Sequence, residues 1–368
     1  MTGLYIHIPF CKSRCIYCGF YSTTLSERRQ QYVDALCREM AMRPSADAIS
    51  TVYLGGGTPS QLSIAQLQQL FTHLYNIYKV ADDAEITMEC NPDDVTETFV
   101  AALQQLPVNR ISMGAQTFDD ERLRFLRRRH TARQAAEAVG RLRQAGIGNI
   151  SIDLMYGFPG ETADDWQHDI DAALALDVEH QSAYCLMIEE GTALYELKNK
   201  GQITENSEEL ERQMYYMLKD RLAAAGYEHY ELSNFARHGH RSRHNSSYWT
   251  DVPYIGLGAA AHSYDGLRRR WNVSHLQQYI DSIGNGQQVY EEEMLDDDTR
   301  YNDKVMLSLR TAEGIDLSTL SEQHRRYLLP LSRKYLDNGL MVQENGRLRL
   351  GREGLFVSDM IISDLMKV

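Results

Sequence analysis

The chain has 368 residues, 43% of them hydrophobic and 24% charged, an ordinary balance for a soluble globular protein with room for two domains. Its net charge of −13 argues against nucleic acid and anionic lipid as general partners. No apolar run approaches the roughly 20 residues of a membrane span. The N-terminus lacks the basic-then-apolar pattern of a signal peptide, and cysteines read as reduced thiols place the protein in the cytoplasm. Peripheral membrane contact stays open.

Taken in chain order, residues 4–8 read as a short apolar strand, and Ser26 as the cap of a helix that turns Val33, Leu36, Cys37 and Met40 inward. Residues 51–54 form a second strand that ends in Gly55-Gly56-Gly57, and Leu67, Leu70, Phe71 and Leu74 mark a second helix. Four more strands are expected at 85–90, 110–113, 150–154 and 181–186, with a long amphipathic helix over 208–225. This alternation predicts an α/β fold, an incomplete parallel (β/α)6 barrel with right-handed crossovers. In such a barrel the active face lies at the C-terminal ends of the strands. Polar residues recur there: Cys11 to Cys18, the glycines, Glu89, Gln116 and Asp153. Core packing alone does not put polar side chains at one end of successive strands, so a single site is expected.

From about residue 235 the rhythm breaks, which suggests a barrel over 1–235 and a C-terminal domain over 236–368. From about 295 that domain resembles a winged-helix module, with helices near 301–309, 318–323 and 327–337 and a hairpin near 342–350. The acidic stretch 291–298 favours packing over DNA binding. Two basic stretches, Arg122 to Arg133 and Arg237 to Arg243, read equally as solvated surface or as anion sites.

The cysteines carry the most chemistry. Cys11, Cys15 and Cys18 stand at Cys-x3-Cys-x2-Cys spacing, close enough for one short loop to bring three thiolates to one iron–sulfur cluster. A four-iron cluster held by three cysteines keeps one iron open for a ligand. A zinc knuckle is the competing reading and needs a fourth ligand, for which His7 is the nearest candidate. Cys37, Cys90 and Cys185 are scattered singly in apolar segments, as buried free thiols are.

With Tyr5-Ile-His-Ile-Pro-Phe-Cys11, the triad, and Gly55-Gly-Gly-Thr58-Pro59-Ser60, the chain resembles the radical S-adenosylmethionine (SAM) superfamily. More narrowly, it is similar to the family containing oxygen-independent coproporphyrinogen III oxidase. The likeness runs through Glu89-Cys-Asn91-Pro92, Gly114-Ala-Gln116-Thr-Phe118 and Asp153-Leu-Met-Tyr-Gly157-Phe-Pro159. It implies a [4Fe-4S] cluster on Cys11, Cys15 and Cys18, with SAM on the open iron. It also implies an electron donor for the cluster, which then breaks a carbon–sulfur bond of SAM. By position, Tyr5, Gly56 and Glu89 are expected to contact SAM beside the cluster. Gly57, Thr58, Gln116, Arg128 and Asp153 match positions that hold SAM groups. The glycine run is expected to let backbone approach the SAM amino group.

Three departures point away from the oxidase. Phe20 stands where the oxidase carries a further cysteine, the chain begins almost on its first strand, and His244-Asn245-Ser-Ser-Tyr248-Trp249 resembles the His-Asn-x-x-Tyr-Trp motif of the heme-chaperone branch. That branch binds heme, delivers it to a recipient hemoprotein and lacks oxidase activity. His244 is the expected axial ligand, with His240 and His262 as rivals. Tyr248 and Trp249 would pack on the porphyrin, and Arg241 or Arg243 would meet its propionates. The alternative is the oxidase itself.

Overall fold

The computed structural model describes residues 2–367. Six strands, Thr2–Ile8 (β1), Ile49–Gly56 (β2), Val80–Cys90 (β3), Arg110–Gln116 (β4), Ile150–Tyr156 (β5) and His180–Cys185 (β6), lie side by side in chain order, all parallel. The helices Arg29–Met42 (α1), Ile64–Ile77 (α2), Glu97–Leu103 (α3), Asp120–Phe125 (α4), Ala132–Gln144 (α5) and Ala163–Ala175 (α6) fall between them. Ala193–Asn199 (α7) and Glu208–Ala224 (α8) follow. The central strands are apolar and nearly continuously buried, as a parallel sheet covered on its faces requires.

Local sequence starts the helices. Ser63 with Gln66, Thr131 with Gln134, and Thr162 with Asp165 form reciprocal capping boxes that open α2, α5 and α6. Ser26, by contrast, caps nothing. It opens a short 3-10 turn, and α1 begins only at Arg29 without a side-chain cap.

The sheet extends beyond the six expected strands. Glu228–Glu231 (β7) and Asn234–Ala236 (β8) follow: β8 adds antiparallel to β6, and β7 adds antiparallel to β8 at the edge. After the short helix Arg243–Trp249 (α9), Tyr254–Leu257 (β9) pairs parallel with β1, Leu4 opposite Ile255. His262–Tyr264 (β10) and Arg268–Asn272 (β11) continue antiparallel, and Tyr290–Met294 (β12) follows the helix Leu276–Gly284 (α10). The expected boundary at 235 therefore falls inside a 12-stranded sheet. Residues 254–294 belong to it because β1 would otherwise expose an unpaired parallel edge.

A second apolar core gathers Tyr301, Val305, Leu328, Tyr335, Leu348 and Ile361. It is built from Asp297–Ser308 (α11), Ile315–Asp316 (β13), Glu322–Asp337 (α12), Met341–Glu344 (β14), Arg347–Leu350 (β15) and Ser358–Leu365 (α13). Its three strands run in the order β13-β15-β14, antiparallel. The helix expected at 318–323 is a short 3-10 turn, Leu317–Thr319, and then the start of α12, which runs on through the helix expected at 327–337. Ser321 caps it through His324 N–H, and Pro330 is carried inside it. No helix among the described residues is long and apolar enough to cross a membrane.

Candidate functional site

A cavity of about 700 Å³ opens at the C-terminal ends of the parallel strands. Its wall contains Cys11, Cys15 and Cys18, together with Tyr5, Gly56, Gly57, Thr58, Glu89, Gln116, Arg128 and Asp153. The structure thus brings together every expected cluster and SAM residue, drawn from all of β1 to β5 and the loops that follow them.

The cysteine loop is anchored at both ends. Cys11 N–H donates to Thr23 O at 2.8 Å, and Thr23 N–H to Pro9 O at 2.7 Å. Between the thiols, Ile16 is buried in a small apolar cluster with Leu126, Met155, Phe158 and Leu186. The three thiols are half-buried, and burial raises those of Cys11 and Cys18. Thr58 Oγ1 donates to Cys11 Sγ and Arg128 Nη1 to Cys15 Sγ, each at 3.6 Å. Such donors stabilise thiolates, the form that binds iron.

The donor set therefore fits an iron–sulfur cluster. Arg128 Nε is also buried without a partner among the described residues, as expected of a group whose acceptor arrives with a ligand. His7 does not serve as a fourth ligand: its ring nitrogens lie 3.0 Å from Tyr5 OH and from Tyr21 O, and burial lowers its pKa to about 4. Cys90 reaches the same wall, but burial holds its thiol far above its ordinary value.

Of the run Arg127 to Arg129, which all reach the cavity, Arg128 donates Nη2 to Asn91 Oδ1 at 2.8 Å and to Gly114 O at 2.5 Å. Arg129 is engaged by Asp93 and Asp94 at 2.8 and 3.2 Å. Most of the remaining basic stretch is also paired: Arg122 with Glu161 and Asp165, Arg133 with Glu137.

The glycine run is packed tightly against the first strand and the segment after it. At Gly56, whose φ is +104°, an added Cβ would stand 2.3 Å from the His7 ring. At Gly57 it would stand 2.7 Å from Ile8 O. The small residues are required by close approach of protein to protein, which in turn exposes the Gly56–Thr58 backbone to the cavity. Gln116 adopts φ +69° at a break in the β4–β5 register, a left-handed conformation uncommon for glutamine that aims its side chain at the site.

Two carboxylates line the inner wall. Glu89 accepts from Tyr53 OH at 2.7 Å and from Gly56 N–H at 3.1 Å, and burial pushes its pKa up to about 7. Asp153 accepts from Ser112 Oγ at 3.5 Å, and burial raises it as well. Tyr53 is not singled out by the sequence, and Asn91 stands there only within the Glu89-Cys-Asn91-Pro92 motif, with no role of its own. The strand period supplied a signal for Tyr53, which lies two residues before Gly55 and so on the same side of β2.

His244 is placed behind the cavity rather than on it. It is 1% exposed, with Nδ1 2.8 Å from Thr51 Oγ1 and Nε2 2.8 Å from Tyr248 OH. Its backbone N–H donates to Glu85 at 3.0 Å, its ring stacks on Tyr53 at 5.0 Å, and burial lowers its pKa to about 3. As placed, neither ring nitrogen is open to iron. Of its motif, Asn245 reaches the cavity, while Tyr248 and Trp249 line a smaller neighbouring one. His262 is exposed and stacks on Trp271. Arg241 is held by Glu228 and Glu313, and Arg243 by Asp83, so both expected propionate partners are already paired.

Residues 5–173 match the Radical SAM superfamily and residues 295–357 the HemN C-terminal domain. A protein named heme chaperone HemW from Bacillus subtilis is 36% identical over 334 residues, 89% of this chain and 88% of the relative. Another of that name from Mycobacterium tuberculosis is 33% identical, covering 99% and 94%. The chain belongs to the HemW family. This family shares the radical SAM domain, which implies a [4Fe-4S] cluster and SAM. The solved structure of coproporphyrinogen III oxidase (HemN) from Escherichia coli superposes with a TM-score of 0.84, covering 100% of this chain and 90% of that one, at 22% identity. That likeness establishes the fold. The HemW kinship, not the oxidase fold, places the chain within it.

Proposed function

We propose that this protein is a heme chaperone, which binds heme and passes it to a recipient hemoprotein from a radical-SAM scaffold. The observation that carries the reading is the near full-length kinship with proteins named heme chaperones. Phe20, in place of a further cysteine beside the triad, supports it.

Cys11, Cys15 and Cys18 would hold the cluster, with Thr58 and Arg128 compensating the thiolate charge. Tyr5, Gly56, Gly57, Glu89, Gln116 and Asp153 would hold SAM against it. Cluster and SAM together supply one electron and a cleavable carbon–sulfur bond, and an electron donor is needed to charge the cluster. Glu89, with a pKa near neutrality, can accept a hydrogen bond from SAM as a carboxylate or hold a proton when the site is empty. Gln116 and Arg128 orient polar groups, and the apolar cluster around Ile16 keeps the cysteine loop fixed. Reduced thiols fit a cytoplasmic protein.

The test is anaerobic reconstitution of the cluster, titration with heme, and mixing with an apo-hemoprotein. Saturable, near-equimolar heme uptake followed by transfer to the recipient is expected. Absence of saturable uptake overturns the reading.

A further inference from the structure

The two most exposed large apolar side chains among the described residues are Phe20, 72% exposed, and Met187, 69% exposed. Both stand on the rim of the same cavity. Single exposed hydrophobics are ordinary, but the two extremes of a chain meeting at one mouth mark a binding surface. The Glu189 side chain lies against Gly19, where an added Cβ would stand 2.2 Å from its Oε2, so Phe20 and Met187 project from adjoining loops. Tyr184, 43% exposed, continues the apolar rim.

The same rim carries Arg14 and Arg127, both exposed, and neither makes an ion pair or a side-chain hydrogen bond among the described residues. The other two arginines on the wall are engaged, Arg129 by Asp93 and Asp94 and Arg128 by Cys15, Asn91 and Gly114, in a chain of net charge −13. Glu189 is the acidic member of the rim and is turned against Gly19. An apolar surface flanked by two free guanidinium groups suits a flat amphipathic ligand with carboxylates at one edge.

Resting on the heme-chaperone reading, we infer that heme docks across this mouth, with the Met187 thioether on the iron, Phe20 and Tyr184 against the macrocycle, and the propionates toward Arg14 and Arg127. A thioether is an established axial ligand for heme iron. His244, by contrast, would have to break two hydrogen bonds and leave a buried stack to reach iron. A cargo held at the mouth also keeps one face open to a recipient, and it leaves the inner wall to cluster and SAM.

The experiment is heme titration of the full-length, anaerobically reconstituted protein, with Met187→Ala, Phe20→Ala and Arg14→Glu compared in parallel. Iron and sulfide content and SAM affinity are measured on each variant. Met187→Ala is expected to lose the optical signature of sulfur ligation and to weaken heme binding about tenfold or more. Phe20→Ala and Arg14→Glu are expected to weaken it severalfold, with cluster content and SAM affinity unchanged throughout. Unchanged heme affinity and spectrum in Met187→Ala, with loss in His244→Ala instead, overturns this inference and leaves the chaperone reading standing. No heme uptake by the unaltered protein overturns both.

Discussion

Tyr53 donates its hydroxyl to Glu89 Oε1 at 2.7 Å across the neighbouring parallel strands β2 and β3. The pair ties the inner wall of the cavity to the aromatic stack behind it, because the Tyr53 ring lies against His244. Glu89 gains this bond and one from Gly56 N–H, yet burial outweighs both and carries its pKa from 4.5 up to about 7.

A folded-state pKa above the unfolded one means that the folded protein holds the extra proton. Stability from Glu89 is full below pH 4.5 and is lost as pH rises through 7. Glu89→Gln removes this penalty. The SAM-free variant should therefore melt higher than the parent at pH 8, by roughly 1–3 kcal/mol, with the difference shrinking toward pH 5. The same variant should bind SAM at least tenfold more weakly. Equal melting at both pH values would show that Glu89 is not the buried acid described here.

Gly56→Ala is expected to cost about 2–5 kcal/mol in denaturant unfolding, since it combines a φ of +104° with a methyl group driven into His7. Gly148→Ala, where an added methyl meets nothing within 4 Å and φ is ordinary, is the control and should change stability by less than about 0.5 kcal/mol. If Gly56→Ala folds as well as the control, the close approach to His7 is not what requires glycine.

Arg128→Lys keeps the charge but loses the planar fork that reaches Cys15, Asn91 and Gly114 together. SAM affinity measured calorimetrically should fall about tenfold or more. The neighbouring Arg129→Lys, engaged by Asp93 and Asp94, should change it by less than about threefold. Equal effects at the two positions would contradict the inward assignment of Arg128.

His244→Ala leaves Thr51 and Tyr248 without their ring partner and opens a void behind Tyr53. A stability loss of about 2–4 kcal/mol is expected. Heme uptake per folded molecule, measured well below the melting temperature, should be unchanged. A specific loss of heme binding with normal stability would return the axial-ligand role to this residue.

Much of the architecture was legible because its signals are local. Apolar runs ending in polar residues located β1 to β6, and the triad with Gly55 to Thr58 located the cavity floor. What escaped depends on distant partners. His244 was read as a ligand because its partner Thr51 lies 193 residues away, and nothing in its own segment announces a buried, doubly hydrogen-bonded ring. Strands β9 to β12 are short and, in β11, rich in arginine, so their membership of the main sheet rests on pairing with β1 rather than on their own pattern. The helix expected at 327–337 starts earlier, at Glu322 under the Ser321 cap, and carries Pro330 inside it. Phe20 was noticed for the cysteine it replaces; that it is also the most exposed large apolar side chain among those described emerges only from the fold.

The most direct test of the central claim is product analysis after anaerobic incubation of the reconstituted protein with SAM, a reductant, coproporphyrinogen III and, in parallel, heme. The account predicts near-equimolar heme capture with coproporphyrinogen III recovered intact. Catalytic appearance of protoporphyrinogen would contradict it and make this protein an oxidase.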